Sequence, residues 1–262
     1  GNELTLKGNV SSQYISALLM IGPVLKNGLR LHLTGEIISL PYINLTLQLM
    51  KEFGAKAAWT SENSIEVAPK PYTPVSFMVE SDWSAASYWY QIAALSEQAE
   101  IELMGLFRNS YQGDSRGAEV FSRLGITTEF THEGVLLKKS NRLVEQLNED
   151  FVDIPDLAQT FAVTCCLLGI PFRFTGLQSL KIKETDRIFA LKAELRKLGY
   201  ILQDAQDSIL KHLNGRGCKT LAEPDGNKAY VTAALEYPPI QTMVAQAGTV
   251  KLYPFKVTDD LH

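Results

Sequence analysis

Hydrophobic residues recur at intervals of three and four in one stretch of the chain, a spacing that indicates an amphipathic helix. Ile188, Leu191, Leu195 and Leu198 follow this spacing, and charged residues occupy most positions between them. The next residue is Gly199, and glycine commonly terminates helices because it adopts the left-handed conformation at little cost. We therefore predict an amphipathic helix that ends at Gly199.

The same order of elements recurs three times along the chain, which indicates an internal repeat. Each copy has a small or polar start, an apolar helix, a strand, a second helix that ends at glycine, and a hairpin. The second helices are predicted to end at Gly54, Gly125 and Gly199, so that the copies are roughly seventy residues long. The chain is therefore predicted to contain three copies of one α+β unit.

Periodicity and turn residues place the elements of each copy. The first copy is predicted to contain a helix over 11–25, a strand over 29–34, a helix from Pro41 to Gly54, a hairpin over 57–67 and a strand over 75–79. The second is predicted to contain a helix through 83–94, a strand near 101–104, a helix over 114–125 and a hairpin over 127–137. The third begins with a helix at Asp156, followed by a strand near 172–175 and the helix before Gly199.

Composition is that of an ordinary globular protein and argues against several classes of partner. The chain has 262 residues, 45% hydrophobic and 21% charged, and a formal charge of -4 that gives no indication of nucleic acid or an anionic membrane as partner. No apolar run is long enough to span a bilayer. The three cysteines do not form a disulfide framework, and the four histidines are scattered. We expect no metal site, and a reducing, cytoplasmic location without a secretion signal at Gly1.

Two predicted helix starts carry residues suited to binding anions. Lys183 and Arg187 lie where the helix dipole is positive, an arrangement that an anion in front of them would favour. The alternative is a solvated first turn with local ion pairs. Ser11 and Ser12 open the first helix, where hydroxyls and free N–H groups can hold a phosphate. The alternative for them is an ordinary N-cap.

Five short motifs occur along the chain in the order in which one enzyme family has them. They are Ser11-Ser12-Gln13-Tyr14, Ser39-Leu40-Pro41-Tyr42, Asn109-Ser110-Tyr111-Gln112-Gly113-Asp114, Ile154-Pro155-Asp156 and Lys183-Glu184-Thr185-Asp186-Arg187. Together, from residue 11 to about 199, they resemble the signatures of the EPSP synthase (3-phosphoshikimate 1-carboxyvinyltransferase) family.

The resemblance implies a fold of repeated βαβαββ units, three in each of two globular domains that face each other across a cleft. This is an α+β fold, a two-domain inside-out α/β barrel of the enolpyruvyl transferase type, here incomplete at the N-terminus. On this mapping, residues 1–80 form the back part of the first domain and residues 81–262 form the second domain.

The resemblance also implies a reaction. The enolpyruvyl group of phosphoenolpyruvate is transferred to the 5-hydroxyl of shikimate 3-phosphate, with release of phosphate, in the shikimate pathway to aromatic amino acids. No cofactor is implied, because the chemistry is addition and elimination. The implied partners are these two small molecules, with neither nucleic acid nor membrane, and a complete enzyme is expected to be monomeric.

Substrate-binding roles follow from the resemblance for the first two motifs. Ser11 and Ser12 are implied to hold the phosphate of shikimate 3-phosphate, and Gln13 to reach into the cleft toward both substrates. Ser39 is implied to be another phosphate ligand, and Tyr42 a wall against the shikimate ring.

Catalytic roles follow for the later motifs. The resemblance makes Asp156 a ligand of the shikimate hydroxyls, and Asp156 and Glu184 the candidate proton-transfer carboxylates. It makes Lys183 a cation that contacts both substrates and a candidate acid, and Arg187 a clamp for phosphoenolpyruvate. Ser179 stands where relatives carry Asn, as a candidate substrate contact.

The sequence departs from the family in three places. Leu40 replaces the lysine common in relatives, the family's front portion with its Lys-Ser pair has no counterpart, and residues from about 214 match no family motif. These departures leave two alternatives: an inactive or binding-only remnant of the family, and, ranked lower, a UDP-N-acetylglucosamine enolpyruvyl transferase. The second ranks lower because the motifs at Ser11 and Lys183 belong to the shikimate branch.

Overall fold

The strands of the first repeat form one four-stranded sheet. The computed structural model describes residues 1–38, 40–181, 183, 185–205, 208–211 and 247–252. Strands β1 (Glu3–Lys7), β2 (Leu29–Thr34), β3 (Ala57–Ser61) and β4 (Ser64–Val67) lie in the order β1-β2-β4-β3. β1 is parallel to β2, whereas β4 is antiparallel to both of its neighbours.

Helices follow the two parallel strands of this sheet. α1 (Ser12–Ile21), extended by a 3-10 turn over Gly22–Val24, follows β1, and α2 (Leu40–Glu52) follows β2. Because β1 and β2 are parallel, both helices begin at the carboxyl ends of their strands, on the same edge of the sheet. Ligands of open α/β sheets bind outside this edge.

The second repeat has the same plan with one difference at its edge. It contains α3 (Trp83–Leu95), β5 (Ala99–Met104), a 3-10 helix (Gly113–Arg116), α4 (Gly117–Ser122), β6 (Leu124–Phe130) and β7 (Gly134–Leu143). The sheet order is β12-β5-β7-β6, in which the edge strand β12 (Ala247–Leu252) comes from the far end of the chain and is antiparallel to β5. In the first sheet the corresponding edge strand, β1, is parallel to its neighbour.

The third repeat returns to the plan of the first. β8 (Leu147–Asp150), β9 (Phe172–Thr175), β10 (Gln203–Ala205) and β11 (Ser208–Lys211) lie in the order β10-β11-β9-β8, with β8 parallel to β9. A 3-10 helix (Pro155–Leu157) and α5 (Ala158–Leu167) follow β8. A second 3-10 helix (Gln178–Lys181) and α6 (Arg187–Lys197) follow β9. Both pairs begin at the carboxyl ends of the parallel strands, as in the first sheet.

The strand predicted over 75–79 is wrong. Residues 71–82 have no strand structure, and the side chains of Met78 and Val79 are 74% and 82% exposed. The reason is that β12 occupies the edge of β5 that a parallel strand takes in the other two sheets. Ser81 N nevertheless donates to Gly105 O at 2.8 Å, which matches the bond from Gly8 N to Thr34 O in the first sheet.

The other predicted elements are confirmed with shifts at their ends. The strand over 29–34 and the hairpin over 57–67 lie where predicted. Gly54 and Gly199 follow their helices with φ of 77° and 85°, the left-handed conformation expected at a helix end. Gly125 lies instead within β6, because α4 already ends at Ser122. The parallel edge strands β1 and β8 were not predicted.

Most of the buried hydrophobic residues in the described part of the chain form two clusters. The first packs α1 and α2 on the first sheet and includes residues between Ile15 and Val67. The second lies between Trp83 and Ile209 and also contains Ile188 and Leu195 of the predicted amphipathic helix. The division into domains at about residue 80 stays a prediction.

A series of aromatic rings links the elements of the second cluster. Phe161 of α5 lies 4.2 Å from Phe121 and 5.5 Å from Phe151, measured between ring centroids. Tyr90 of α3 lies 5.0 Å from Phe121, and Phe174 of β9 lies 4.7 Å from Phe151. These rings fix the start of α5, and with it Asp156, relative to α3 and β9.

Candidate active site

The starts of α1 and α2 lie side by side. Ser16 Oγ and Thr46 Oγ1 are 2.8 Å apart and join the two helices one turn beyond Ser12 and Tyr42. Ser11 is the N-cap of α1, and its hydroxyl accepts a hydrogen bond from Gln13 N at 3.4 Å. Ser11 is therefore an N-cap, as the alternative interpretation of the sequence proposed. This cap leaves the other free N–H groups of the first turn available to an anion.

The side chain of Tyr42 joins the first repeat to the second and the third. Its hydroxyl lies 3.3 Å from Asp114 Oδ1 and 3.1 Å from Asp156 Oδ2. Asp114 belongs to the 3-10 helix before α4, and Asp156 to the 3-10 helix before α5. Burial, followed by the charges of Asp114 and Asp156, raises the pKa of Tyr42 well above its usual value, which keeps the phenol protonated.

Two cations contact Asp156 from the start of α6. Arg187 Nη1 donates to Asp156 Oδ1 at 2.9 Å, and Lys183 Nζ lies 3.6 Å from the same oxygen. Lys183 Nζ also lies 5.8 Å from the centre of the Tyr42 ring, within the range of a cation–π contact. The side chains of Lys183, Arg187 and Asp156 are 13% to 29% exposed, so the cluster is partly accessible to solvent.

The N-cap of α6 is Asp186, whose carboxylate accepts a hydrogen bond from Phe189 N at 2.9 Å. An acidic residue at this point complements the helix dipole. The two cations beside it face Asp156, a residue of another segment. The arrangement therefore places two positive charges, one just before α6 and one at its first residue, around a single carboxylate.

Ser179 is buried close to this cluster. It belongs to the 3-10 helix Gln178–Lys181, which packs against the 3-10 helix that carries Asp156. Its side chain is 5% exposed, and its Oγ has no hydrogen-bond partner among the described residues. A buried hydroxyl without a protein partner is a candidate for contact with a polar ligand.

The structure therefore brings four of the predicted site residues into one cluster: Tyr42, Asp156, Lys183 and Arg187. Ser179 lies on an adjacent element, and Ser11, Ser12 and Gln13 lie at the neighbouring helix start. Ser12 is buried, whereas Gln13 is exposed. Ser39 and Glu184 lie outside the described residues, and their roles stay predictions.

Asp114 is the residue of the cluster to which sequence reasoning assigned no role. It is 2% exposed and accepts a short hydrogen bond from Ser84 Oγ in addition to its contact with Tyr42. Burial raises the pKa of Asp114 to about 6, the charge of Asp156 acts in the same direction, and the hydrogen bond from Ser84 opposes both. The available signal was its position at the end of the Asn109–Asp114 motif, just before a helix.

The rest of that motif fixes the loop that carries Asp114. Gln112 Nε2 donates to Ser81 O at 2.7 Å, and Gln112 Oε1 accepts from Trp83 N at 2.9 Å. Ser110 Oγ donates to Glu80 Oε2 at 2.7 Å. The motif thus ties the loop to the start of α3.

Neither a metal site nor a membrane span is found in the part of the chain that the structure describes. Within it, no three His, Cys, Asp or Glu residues are grouped so as to hold a metal ion. None of the helices described there is long and apolar enough to cross a membrane.

Comparison with protein families gives two matches of different extent. The model of EPSP synthase (3-phosphoshikimate 1-carboxyvinyltransferase) matches residues 1–222. A second model, for polysaccharide deacetylases, matches residues 195–262, which is well under half of the chain and lies mostly outside the described residues. Only the first match is extensive enough to show a family.

Curated relatives agree with the first match. A 3-phosphoshikimate 1-carboxyvinyltransferase of Bacteroides fragilis is 66% identical over 261 residues, which cover 97% of this chain and 63% of the relative. One from Idiomarina loihiensis is 37% identical over 216 residues, which cover 80% of this chain and 50% of the relative. The chain thus spans between half and two thirds of the length of these relatives.

Solved structures support the fold. One structure of an EPSP synthase from Acinetobacter baumannii superposes with a TM-score of 0.62 at 16% identity, over 97% of this chain and 64% of that one. Another gives a TM-score of 0.56 at 18% identity, over 81% and 48%. At these identities the likeness concerns the fold, and it confirms the predicted fold of the enolpyruvyl transferase type.

Proposed function

Because the chain belongs to the EPSP synthase family, we propose that its protein transfers the enolpyruvyl group of phosphoenolpyruvate to the 5-hydroxyl of shikimate 3-phosphate and releases phosphate. The observation that carries the proposal is the contact of one carboxylate, Asp156, with Tyr42, Lys183 and Arg187 at the same time. This cluster unites a candidate base, a candidate acid and a candidate anion clamp.

Binding of two anionic substrates is supported by the charge of the helix starts. Lys183 and Arg187 supply two positive charges against the single charge of Asp156, so a phosphate or carboxylate can be accommodated beside them. The guanidinium of Arg187 can bind a carboxylate through two hydrogen bonds, which suits a clamp for phosphoenolpyruvate. Ser11 and Ser12, at the start of α1, are proposed to hold the phosphate of shikimate 3-phosphate.

The remaining binding roles extend this arrangement. Tyr42 is proposed to form a wall against the shikimate ring. The hydroxyl of Ser179, which lacks a hydrogen-bond partner among the described residues, is proposed to contact the same substrate. Gln13 and Ser39 are proposed as further substrate ligands at the starts of α1 and α2. All of these residues lie at or next to helix starts, where partial positive charge favours anions.

The chemistry needs a proton removed from the hydroxyl, a proton added to the enol methylene and a proton removed again from the methyl group that this forms. Asp156 is proposed to take the proton of the 5-hydroxyl, whose oxygen forms a bond to the substituted carbon of the enol. Lys183 is proposed to protonate the methylene carbon, with Glu184 as the second carboxylate for proton transfer. Lys183 then takes a proton back from the resulting methyl group and regains its charge as phosphate departs, which restores the double bond. Lys183 and Arg187 stabilise the charge that develops on the phosphate.

The test is a phosphate-release assay with both substrates. Lys183→Ala is expected to lower kcat/KM by about a hundredfold or more, the range for loss of a positioned acid–base group. Lys197→Ala is the matched control, because Lys197 is 68% exposed at the end of α6 and forms a surface ion pair with Glu194. Equal losses in the two variants would contradict the role given to Lys183.

Two further measurements separate the alternatives. Binding of shikimate 3-phosphate by calorimetry without phosphate release would identify a binding-only member of the family. Phosphate release with UDP-N-acetylglucosamine in place of shikimate 3-phosphate would identify the other enolpyruvyl transfer. Phosphate release with shikimate 3-phosphate as acceptor, but not with UDP-N-acetylglucosamine, supports the proposal.

A further inference from the structure

One hydroxyl hydrogen, that of Tyr42, lies between two carboxyl groups. The Tyr42 oxygen is 3.3 Å from Asp114 Oδ1 and 3.1 Å from Asp156 Oδ2. A phenol has one hydrogen to donate, so with both aspartates ionised one of the two contacts would place lone pairs against each other. A second hydrogen, carried by one carboxyl group, removes this conflict. That carboxyl group then donates to the Tyr42 oxygen, and Tyr42 donates to the other.

The surroundings of Asp156 favour its charged form. Arg187 Nη1 lies 2.9 Å and Lys183 Nζ 3.6 Å from its Oδ1, and its side chain is 28% exposed. Two cations and contact with solvent both stabilise a carboxylate. Asp156 is therefore the acceptor in the pair.

The surroundings of Asp114 favour its neutral form. It is 2% exposed, and the gap beside it, lined by Trp83, Phe121 and Leu157 among others, has no room for a water molecule. Among the described residues, the charged groups that act on it most strongly are Asp82 and Asp156, both acidic. Its other polar neighbours are the hydroxyls of Ser84 and Tyr42, which are neutral.

We propose that Asp114 is a positioning residue that retains a proton, donates it to the Tyr42 oxygen and thereby directs the Tyr42 hydroxyl hydrogen onto Asp156. The inference rests on the proposed function, in which Asp156 acts on the substrate hydroxyl. Ionisation of Asp114 would draw the Tyr42 hydrogen away from Asp156 and add a second negative charge beside it. The raised pKa of Asp114, about 6, agrees with a proton retained in weakly acidic solution.

The test compares two substitutions of Asp114. Asp114→Asn keeps an N–H donor toward Tyr42 and an oxygen acceptor for Ser84, so it imitates the protonated acid at every pH. Asp114→Ala removes both. As the pH rises from about 5 to about 8, wild-type Asp114 loses its proton whereas the asparagine amide keeps its N–H donor. The ratio of kcat for Asp114→Asn to kcat for wild type is therefore expected to rise about fivefold, which corresponds to the loss of one hydrogen bond in wild type. A ratio independent of pH would overturn the proposal.

A second pair of variants tests whether Asp114 acts through Tyr42. Asp114→Ala is expected to lower kcat about tenfold in wild type, with little change in KM, because it removes the hydrogen bond that orients the Tyr42 hydroxyl. In the background of Tyr42→Phe it is expected to lower kcat no further, because the hydrogen-bond chain is already broken. Losses that multiply in the double variant would contradict action through Tyr42.

A third measurement does not need turnover. The unfolded chain gives up the Asp114 proton near pH 4, whereas the folded protein keeps it to about pH 6. The urea midpoint of wild type relative to Asp114→Asn is therefore expected to fall as the pH rises from about 4 to about 6. A fall without phosphate release would refute the proposed function and support a proton retained on Asp114 in the folded protein. Phosphate release without the fall would refute the proton on Asp114.

Discussion

Truncation of Phe161 should destabilise the second hydrophobic cluster and move the start of α5. Phe161 is fully buried, and its ring packs against those of Phe121 and Phe151. Loss of its ring forfeits about 2–3 kcal/mol of transfer free energy. The vacated volume, about 100 Å³, adds about 2 kcal/mol if the neighbours do not collapse into it. We expect Phe161→Ala to lower the free energy of unfolding by about 4 kcal/mol.

The matched control is Phe189→Ala, which removes the same atoms from a side chain that is 72% exposed. Its expected effect is within about 0.5 kcal/mol, as for surface substitutions in general. Urea unfolding followed by tryptophan fluorescence measures both, because Trp83 and Trp89 are buried in the same cluster as Phe161. With a slope of about 3 kcal/mol per M, Phe161→Ala should lower the midpoint by about 1–1.5 M. Similar midpoints for the two variants would refute the packing of α5 described above.

Two further substitutions probe the contacts around the site. At Gly113 an added Cβ would lie 3.0 Å from Cβ of Pro41. Gly113→Ala should therefore separate Tyr42 from Asp114 and lower kcat/KM in the phosphate-release assay. Overpacking should also lower the free energy of unfolding, measured in urea, by about 1–3 kcal/mol. Unchanged kinetics would show that the interface adapts. Glu149→Ala should cost about 2–3 kcal/mol in the same unfolding experiment, because this buried carboxylate binds two arginines that remain more than a third exposed and hydrated. The control, Glu129→Ala, breaks a surface pair and should cost under about 1 kcal/mol; equal costs would contradict the structural role of Glu149.

The local elements were largely predictable from the sequence because the signals that form them are local. The spacing of Ile188 and Leu195 indicated the buried face of α6, and Gly54 and Gly199 marked helix ends that the structure confirms with positive φ. The edge strands were not predictable in this way. A parallel strand pairs with a distant segment, and the periodicity of residues 75–79 fits a strand even though β12 holds the edge of β5 instead.

The site divides in the same manner. The sequence by itself determined which helix starts carry cations and hydroxyls, since Ser11, Lys183 and Arg187 follow from motif and position. Only the tertiary structure decided that Tyr42 bridges Asp114 and Asp156, which lie 72 and 114 residues away from it along the chain. The physical reason is that side-chain hydrogen bonds and desolvation depend on distance in space, which a pattern of spacing along one chain does not contain.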